Sequence, residues 1–171
     1  AVYSGLFEQL ELTDDEFAQI MGHEIAHALA NHTAERMSRA LAINIGVIGA
    51  AVASDRPAIA AGGAAVAAKL ALELPNSRTA ESEADRIGIE LASRAGYEPD
   101  AAVSLWQKMG SLSDSRPPQF LSTHPAPENR EKRLASLAPE MRALQPQPPG
   151  SKASIHPVQI VQESSAAQTG D

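Results

Sequence analysis

The stretch that most restricts the fold is residues 40–74, ALAINIGVIGAAVASDRPAIAAGGAAVAAKLALEL, built almost wholly from Ala, Gly, Ile, Leu and Val. Asp55, Arg56 and Pro57 divide it into two apolar halves of roughly 15 residues, short of the roughly 20 that a membrane-spanning helix needs. Two Ala-rich helices are expected, packed in the protein or standing off as a mobile hairpin; contact with a membrane surface is the competing reading. The whole chain has the same bias. Ala dominates its apolar residues and aromatics make up only 4%, which suits helices meeting through small side chains better than a sheet sandwich. With 171 residues, one domain with one core is the expectation, and its class is mainly α.

A net charge of −7 without any Lys/Arg cluster speaks against a nucleic-acid partner. The chain has no Cys, so a metal could be held only by His and carboxylates. No signal peptide is read at the start, because AVYSGLFEQLELTDDE has no basic opening followed by a long apolar run.

Local signals place the elements. The opening AVYSGLF reads as a strand end entering a Gly turn. In LTDDEF, Thr13 and Glu16 form a capping-box pattern ahead of the periodic run Phe17, Ile20, Met21, Ile25, Ala28, which predicts a helix from Thr13 to about Arg39. A third helix is predicted from about Thr79 to Ala95, closed by Gly96. Another starts near Pro99 and Asp100, with Val103, Leu105, Trp106 and Met109 as its packing residues, and NREKRLASL forms a short charged one. Residues 145–171, rich in Pro, Gln and Ser, read as a flexible tail in which IHPVQIV could add an edge strand.

Three of the five histidines fall within MGHEIAHALANH. His23 and His27 are four apart, so a helix stacks their rings on one face and lets both address one ion. Glu24 sits beside that stripe, within reach of a water on the ion but poorly placed to ligate, which is the position of a general base in peptide hydrolysis. The alternative is a polar pair on a solvated helix face; the small apolar flanks speak against it, because burying ionisable groups without a partner is costly. His32, five residues after His27, reads as a hydrogen-bonded helix-end histidine and not as a ligand.

A catalytic zinc needs a third protein ligand. In SRTAESEAD, Glu81 and Asp85 share a helix face, so Glu81 can ligate while Asp85 accepts the outer N–H of a ligating histidine. Taken alone, Glu81 is equally an exposed carboxylate pairing with Arg78, and Glu83 reads as solvated.

HEIAH, then SRTAESEADRIGIELASRAGYEP, then FLSTHPAPENREKRL resemble, in this order, the gluzincin metallopeptidases that include HtpX, BepA/LoiP and the CAAX prenyl protease. The soluble BepA/LoiP type is the nearer likeness. The resemblance covers residues 1 to about 138 and implies a minigluzincin-like fold, mainly α (α+β), with a small sheet, complete or truncated. It implies Zn2+ held by His23, His27 and Glu81, with Glu24 as base and Asp85 as the partner of a ligating histidine. His124, in STHP, matches a histidine that can fill the fourth metal position and hold such an enzyme latent. Arg130 matches a recurrent basic residue to which no role is assigned.

Residues 1–144 are thus expected to be a zinc metallopeptidase domain lacking its N-terminal part. The resemblance places Ala1 inside or after the substrate-pairing strand that precedes VYSGL in such proteins. The implied function is zinc-dependent endopeptidase action on unfolded or misassembled proteins, in a bacterial periplasm or envelope, with membrane association allowed but not required. The alternative is a latent or inactive zinc-bound scaffold or binding module with His124 on the metal.

Overall fold

In the computed structural model the described residues are 10–111, 124 and 129–146, without the side chains of residues 71 and 73–76. Helix α1 spans Asp14–Leu29, α2 His32–Val52, α3 Pro57–Ala68, α4 Leu74–Arg94, α5 Ala101–Ser111 and α6 Arg130–Arg142, and a π-helical turn, Lys69–Glu73, joins α3 to α4. No strand occurs among the described residues, and the class is mainly α. The strand readings at AVYSGLF and IHPVQIV and the tail beyond residue 146 lie outside the described residues. Gln145, the first residue assigned to that tail, is buried and donates from Nε2 to the Tyr97 carbonyl at 3.1 Å.

Helix α1 begins at the expected capping box. The Glu16 amide donates to Thr13 Oγ1 at 3.2 Å, and the Thr13 amide donates to Glu16 Oε2 at 2.9 Å. Glu16 is itself buried, where Ser104 Oγ donates to it at 2.7 Å and Lys108 Nζ reaches it at 2.7 Å, so one carboxylate caps α1 and ties it to α5. Burial alone would raise the Glu16 pKa; the hydrogen bonds from Lys108, Thr13 and Ser104 outweigh it and hold the carboxyl below its ordinary value.

The inner face of α1 differs from the apolar run read in the sequence. Glu16, Gln19, Ile20, Gly22, His23 and Ala26 are buried, whereas Ile25 is 46% exposed. Polar side chains take inward positions because each finds a partner there; Gln19, for instance, donates to the Glu98 carbonyl at 3.0 Å.

This inner face lies against α4, and two glycines set the distance. A Cβ on Gly22 would stand 2.5 Å from the Gly88 carbonyl oxygen, and one on Gly88 would stand 2.7 Å from the His23 amide nitrogen. Backbone therefore meets backbone at this crossing. Ile20, Ile89, Ala102, Leu105, Trp106, Met109, Leu134 and Met141 complete the core, in which α5 and α6 cover the α1–α4 pair. Leu105, Trp106 and Met109 are buried as expected, with Val103 partly so. Gly96, at φ 93, closes α4: its amide donates to the Ser93 carbonyl and the Tyr97 amide to the Ala92 carbonyl, the hydrogen-bond pair of a Schellman end.

Three helix boundaries depart from expectation. The helix predicted to run to about Arg39 ends at Leu29, because Asn31 turns left-handed at φ 56 and α2 starts afresh at His32. The left-handed region costs Asn less than most residues, since its short polar side chain tolerates it. Helix α4 begins at Leu74, ahead of the expected Thr79, because helical backbone runs into it without a break from the π-helical turn Lys69–Glu73. The Ala-rich stretch does form two helices, parted at Ser54–Arg56 with Pro57 as the first residue of α3, but α2 reaches back to His32.

Helices α2 and α3 pack on each other and bury little else: His32 is the one buried residue of α2, and α3 has none. Met37, Leu41, Ile45, Ile48 and Val52 form one exposed stripe along α2. No described helix is long and apolar enough to cross a membrane.

Replacing Gly88 by Ala should lower stability by about 3 kcal/mol, the upper part of the overpacking range, because the nearest neighbours of the new Cβ are backbone atoms that cannot rotate aside. Urea unfolding measures it. Lys108→Met should cost about 1–2 kcal/mol at neutral pH, the worth of a charged hydrogen bond less screening at a half-exposed ammonium. Because the folded pKa of Glu16 is depressed, its contribution is complete above the unfolded value near 4.5 and disappears as pH falls through the folded value. The gap between parent and variant should therefore close below about pH 4.5, as read by thermal melts across pH.

Candidate metal centre

The tight crossing of α1 on α4 brings His23 and His27 against Glu81 and Asp85. His23, Glu81 and Asp85 are all buried, at 5%, 3% and 5% exposure, so the reading of Glu81 as an exposed partner of Arg78 does not hold. His23 Nε2 and His27 Nε2 stand 3.0 Å apart. Glu81 presents one oxygen to each: Oε2 lies 3.3 Å from His23 Nε2, and Oε1 lies 3.3 Å from His27 Nε2.

The outer nitrogens are engaged too. His23 Nδ1 is 3.1 Å from Asp85 Oδ1, the partnership expected for Asp85, and a carboxylate accepts only from an N–H. With its proton on Nδ1, His23 turns a bare lone pair inward at Nε2. Two imidazole nitrogens and a carboxylate so converge with too few protons for mutual hydrogen bonding, and a cation satisfies them. Their spacing fits one, because ligand atoms about 2.0–2.1 Å from a tetrahedral ion stand about 3.3 Å from each other.

His124 joins this group. Its ring centroid is 5.2 Å from those of both His23 and His27, and a donor atom from each of His23, His27, Glu81 and His124 lies within 4.8 Å of the others. Glu24 stands at the rim with its side chain 43% exposed, and Oε1 lies 3.3 Å from His124 Nε2. The structure thus gathers every residue the sequence reading put forward for the site, with Glu24 facing solvent as a base that must meet substrate would.

Arg130 is the member to which the sequence assigned no role. Buried at the start of α6, it donates from Nε to Asp85 Oδ2 at 2.7 Å and from Nη2 to Asp85 Oδ1 at 2.5 Å and Glu81 Oε2 at 3.2 Å. Its guanidinium carbon lies 3.5 Å from the centre of the Trp106 ring, whose face favours the cation. A basic residue following the STHP segment was the only signal for it, and spacing could not reveal which carboxylates it would meet. Arg133 extends the same junction, donating to Ser82 Oγ at 2.6 Å.

The electrostatics favour positive charge between the two helices. Without a cation a proton can take its place: for His23, burial lowers the pKa, but Asp85 and Glu81, which accept from both nitrogens of the protonated ring, outweigh burial and leave it raised. For Glu81, burial acts upward, and the hydrogen bonds from His23 and His27 overcome it to hold the carboxyl far below the usual carboxylate range.

The fold and site define a mainly helical domain in which an HExxH helix meets a glutamate on a second helix. Comparison with known proteins agrees: the Peptidase family M48 model matches residues 1–138, and the chain belongs to that family. It is 38% identical over 136 residues to the mitochondrial metalloendopeptidase OMA1 of Arabidopsis thaliana, which covers 78% of this chain and 26% of the relative. It is 31% identical over 137 residues to the OMA1 of Saccharomyces cerevisiae, covering 77% and 39%. The β-barrel assembly-enhancing protease of Escherichia coli K12 is 32% identical over 152 residues, covering 84% and 31%. The chain therefore spans well under half the length of these curated relatives. No solved structure matches it significantly.

Arg130→Met should leave two buried carboxylates without their guanidinium and cost about 3–5 kcal/mol in metal-free protein, measured by chemical denaturation. Arg130→Lys should recover only part of this, since an ammonium cannot make the forked contact with Asp85.

Proposed function

We propose that this domain is a zinc-dependent endopeptidase in which His23, His27 and Glu81 hold the ion and Glu24 is the general base. The observation that carries the reading is the convergence of those three donor groups, with His124, inside 4.8 Å. When bound, the ion would supply Lewis-acid polarisation of a peptide carbonyl and make a water acidic enough to lose its proton near neutral pH.

The chain's own residues do the rest. Glu24, exposed at the rim, takes the proton of the attacking water and returns one to the departing amine. Asp85 keeps the His23 proton on Nδ1, so that Nε2 always faces the centre. Arg130 offsets the charge of Asp85 and Glu81, holding both oxygens of Asp85 and Oε2 of Glu81.

His124 occupies the ground that a substrate carbonyl would need, and its Nε2 lies on the carboxylate of the base. This supports a latent state in which His124 fills the fourth position and must withdraw before substrate enters. The same contact supports the second reading, a zinc-bound scaffold in which His124 stays. The substrates proposed are unfolded or misassembled proteins, and the setting a bacterial periplasm or envelope. A relative named for enhancing β-barrel assembly supports the quality-control role, while the mitochondrial names among the relatives make the compartment a separate matter to test.

Purified protein should contain about one zinc per chain and cleave an unfolded casein-type substrate, and a chelator should abolish the cleavage. Glu24→Gln should keep the zinc and lose at least about a hundredfold in turnover, the size of a general-base contribution. A chain that holds no metal, or cleaves equally well with chelator, would overturn the reading. If His124→Ala raises cleavage, the latent reading holds; if zinc-loaded parent and His124→Ala are both inert, the scaffold reading replaces it.

A further inference from the structure

His27 has a partner that the site described above does not use. Its Nδ1, on the side away from Glu81, lies 2.9 Å from Nδ1 of His32, and His32 Nε2 lies 3.2 Å from Oε2 of Glu83. His32 is buried at 8% exposure, whereas the Glu83 side chain is 56% exposed. On an unbroken helix a residue five positions on is turned about 140° away, so His32 could not reach His27 there. The left-handed Asn31 breaks the helix and swings the head of α2 back onto the last turn of α1.

The three groups allow one assignment of protons when His27 faces a cation through Nε2. A neutral imidazole ligating through one nitrogen carries its hydrogen on the other, so His27 donates from Nδ1. His32 must then accept at Nδ1, which puts its own hydrogen on Nε2, and that hydrogen points to the Glu83 carboxylate. Every donor meets an acceptor, and the chain ends in an anion at the protein surface.

We propose that His32 and Glu83 are positioning residues for the metal: they lock the His27 tautomer and ring orientation through a relayed hydrogen bond, as Asp85 does directly for His23. This rests on the proposed assignment of His23, His27 and Glu81 as metal ligands. It gives both histidines a carboxylate-terminated support, one held by buried Arg130 and one open to solvent. Glu83 stands two residues from Glu81 on α4, so a single helix supplies the ligand and both supporting carboxylates.

The test is zinc affinity by competition with a chromophoric chelator, together with the visible d–d bands of the cobalt-substituted protein, for the parent and His32→Phe, His32→Gln and Glu83→Gln. His32→Phe keeps a ring in the buried slot but makes neither hydrogen bond, and should weaken zinc binding about 10- to 100-fold and shift the cobalt bands. Glu83→Gln, at an exposed side chain, should weaken it about tenfold without loss of fold. His32→Gln can both accept and donate, and should stay within about threefold of the parent. Nitrogen-15 NMR of the zinc-loaded parent should show His32 protonated on Nε2. If the parent binds zinc and His32→Phe binds it within twofold with unchanged cobalt bands, His32 only holds the turn and the proposal falls alone. A parent that takes up no zinc overturns the metal reading itself, and this proposal with it.

Discussion

The close approach of α1 and α4 at Gly22 and Gly88 is the constraint on which the remaining structure depends. Side chains usually keep helices about 8–10 Å apart, and here neither helix has one at the contact. His23 follows Gly22, and its amide lies against Gly88, so the first residue of the site is set by backbone packing and not by its own side-chain contacts. With α1 held this near, Glu81 and Asp85 reach His23 and His27 from a helix more than fifty residues further along the chain.

Burying that constellation would be unfavourable without internal compensation. Glu81, Asp85, His23 and Arg130 are all nearly inaccessible to water, and each charge has at least one opposite or hydrogen-bonding neighbour. Arg130 arrives on α6, which also delivers Leu134, Ala138 and Met141 to the core, so the helix that neutralises the site also seals the apolar layer beneath it. Trp106 faces both roles, as a core side chain on α5 and as the surface under the guanidinium.

The Ala-rich helices stand in contrast. Their apolar side chains are exposed along α2 and α3, and the site depends on them only at His32. Part of this was legible from the sequence alone: two helices, parted just ahead of Pro57, and no described helix is long and apolar enough to cross a membrane. Their origin was not. Nothing in ALANHTAER distinguishes a helix that continues from one that turns at Asn31, because Asn tolerates both and the outcome turns on whether His32 gains more beside His27 than the lost helical hydrogen bonds were worth.

What the sequence determined by itself was local: the capping box at Thr13, the glycine end at Gly96, the shared face of His23 and His27, and the shared face of Glu81 and Asp85. Each depends on separations of three to five residues, which helical geometry converts directly into proximity. Tertiary structure decided what separation along the chain cannot: that Glu81 is buried and not a solvated partner of Arg78, that Arg130 meets two carboxylates, that His124 stands over Glu24, and that Glu83 reaches back to His32. Those contacts join residues 45 to 100 positions apart, a separation that no local helical geometry converts into proximity and only tertiary packing can close.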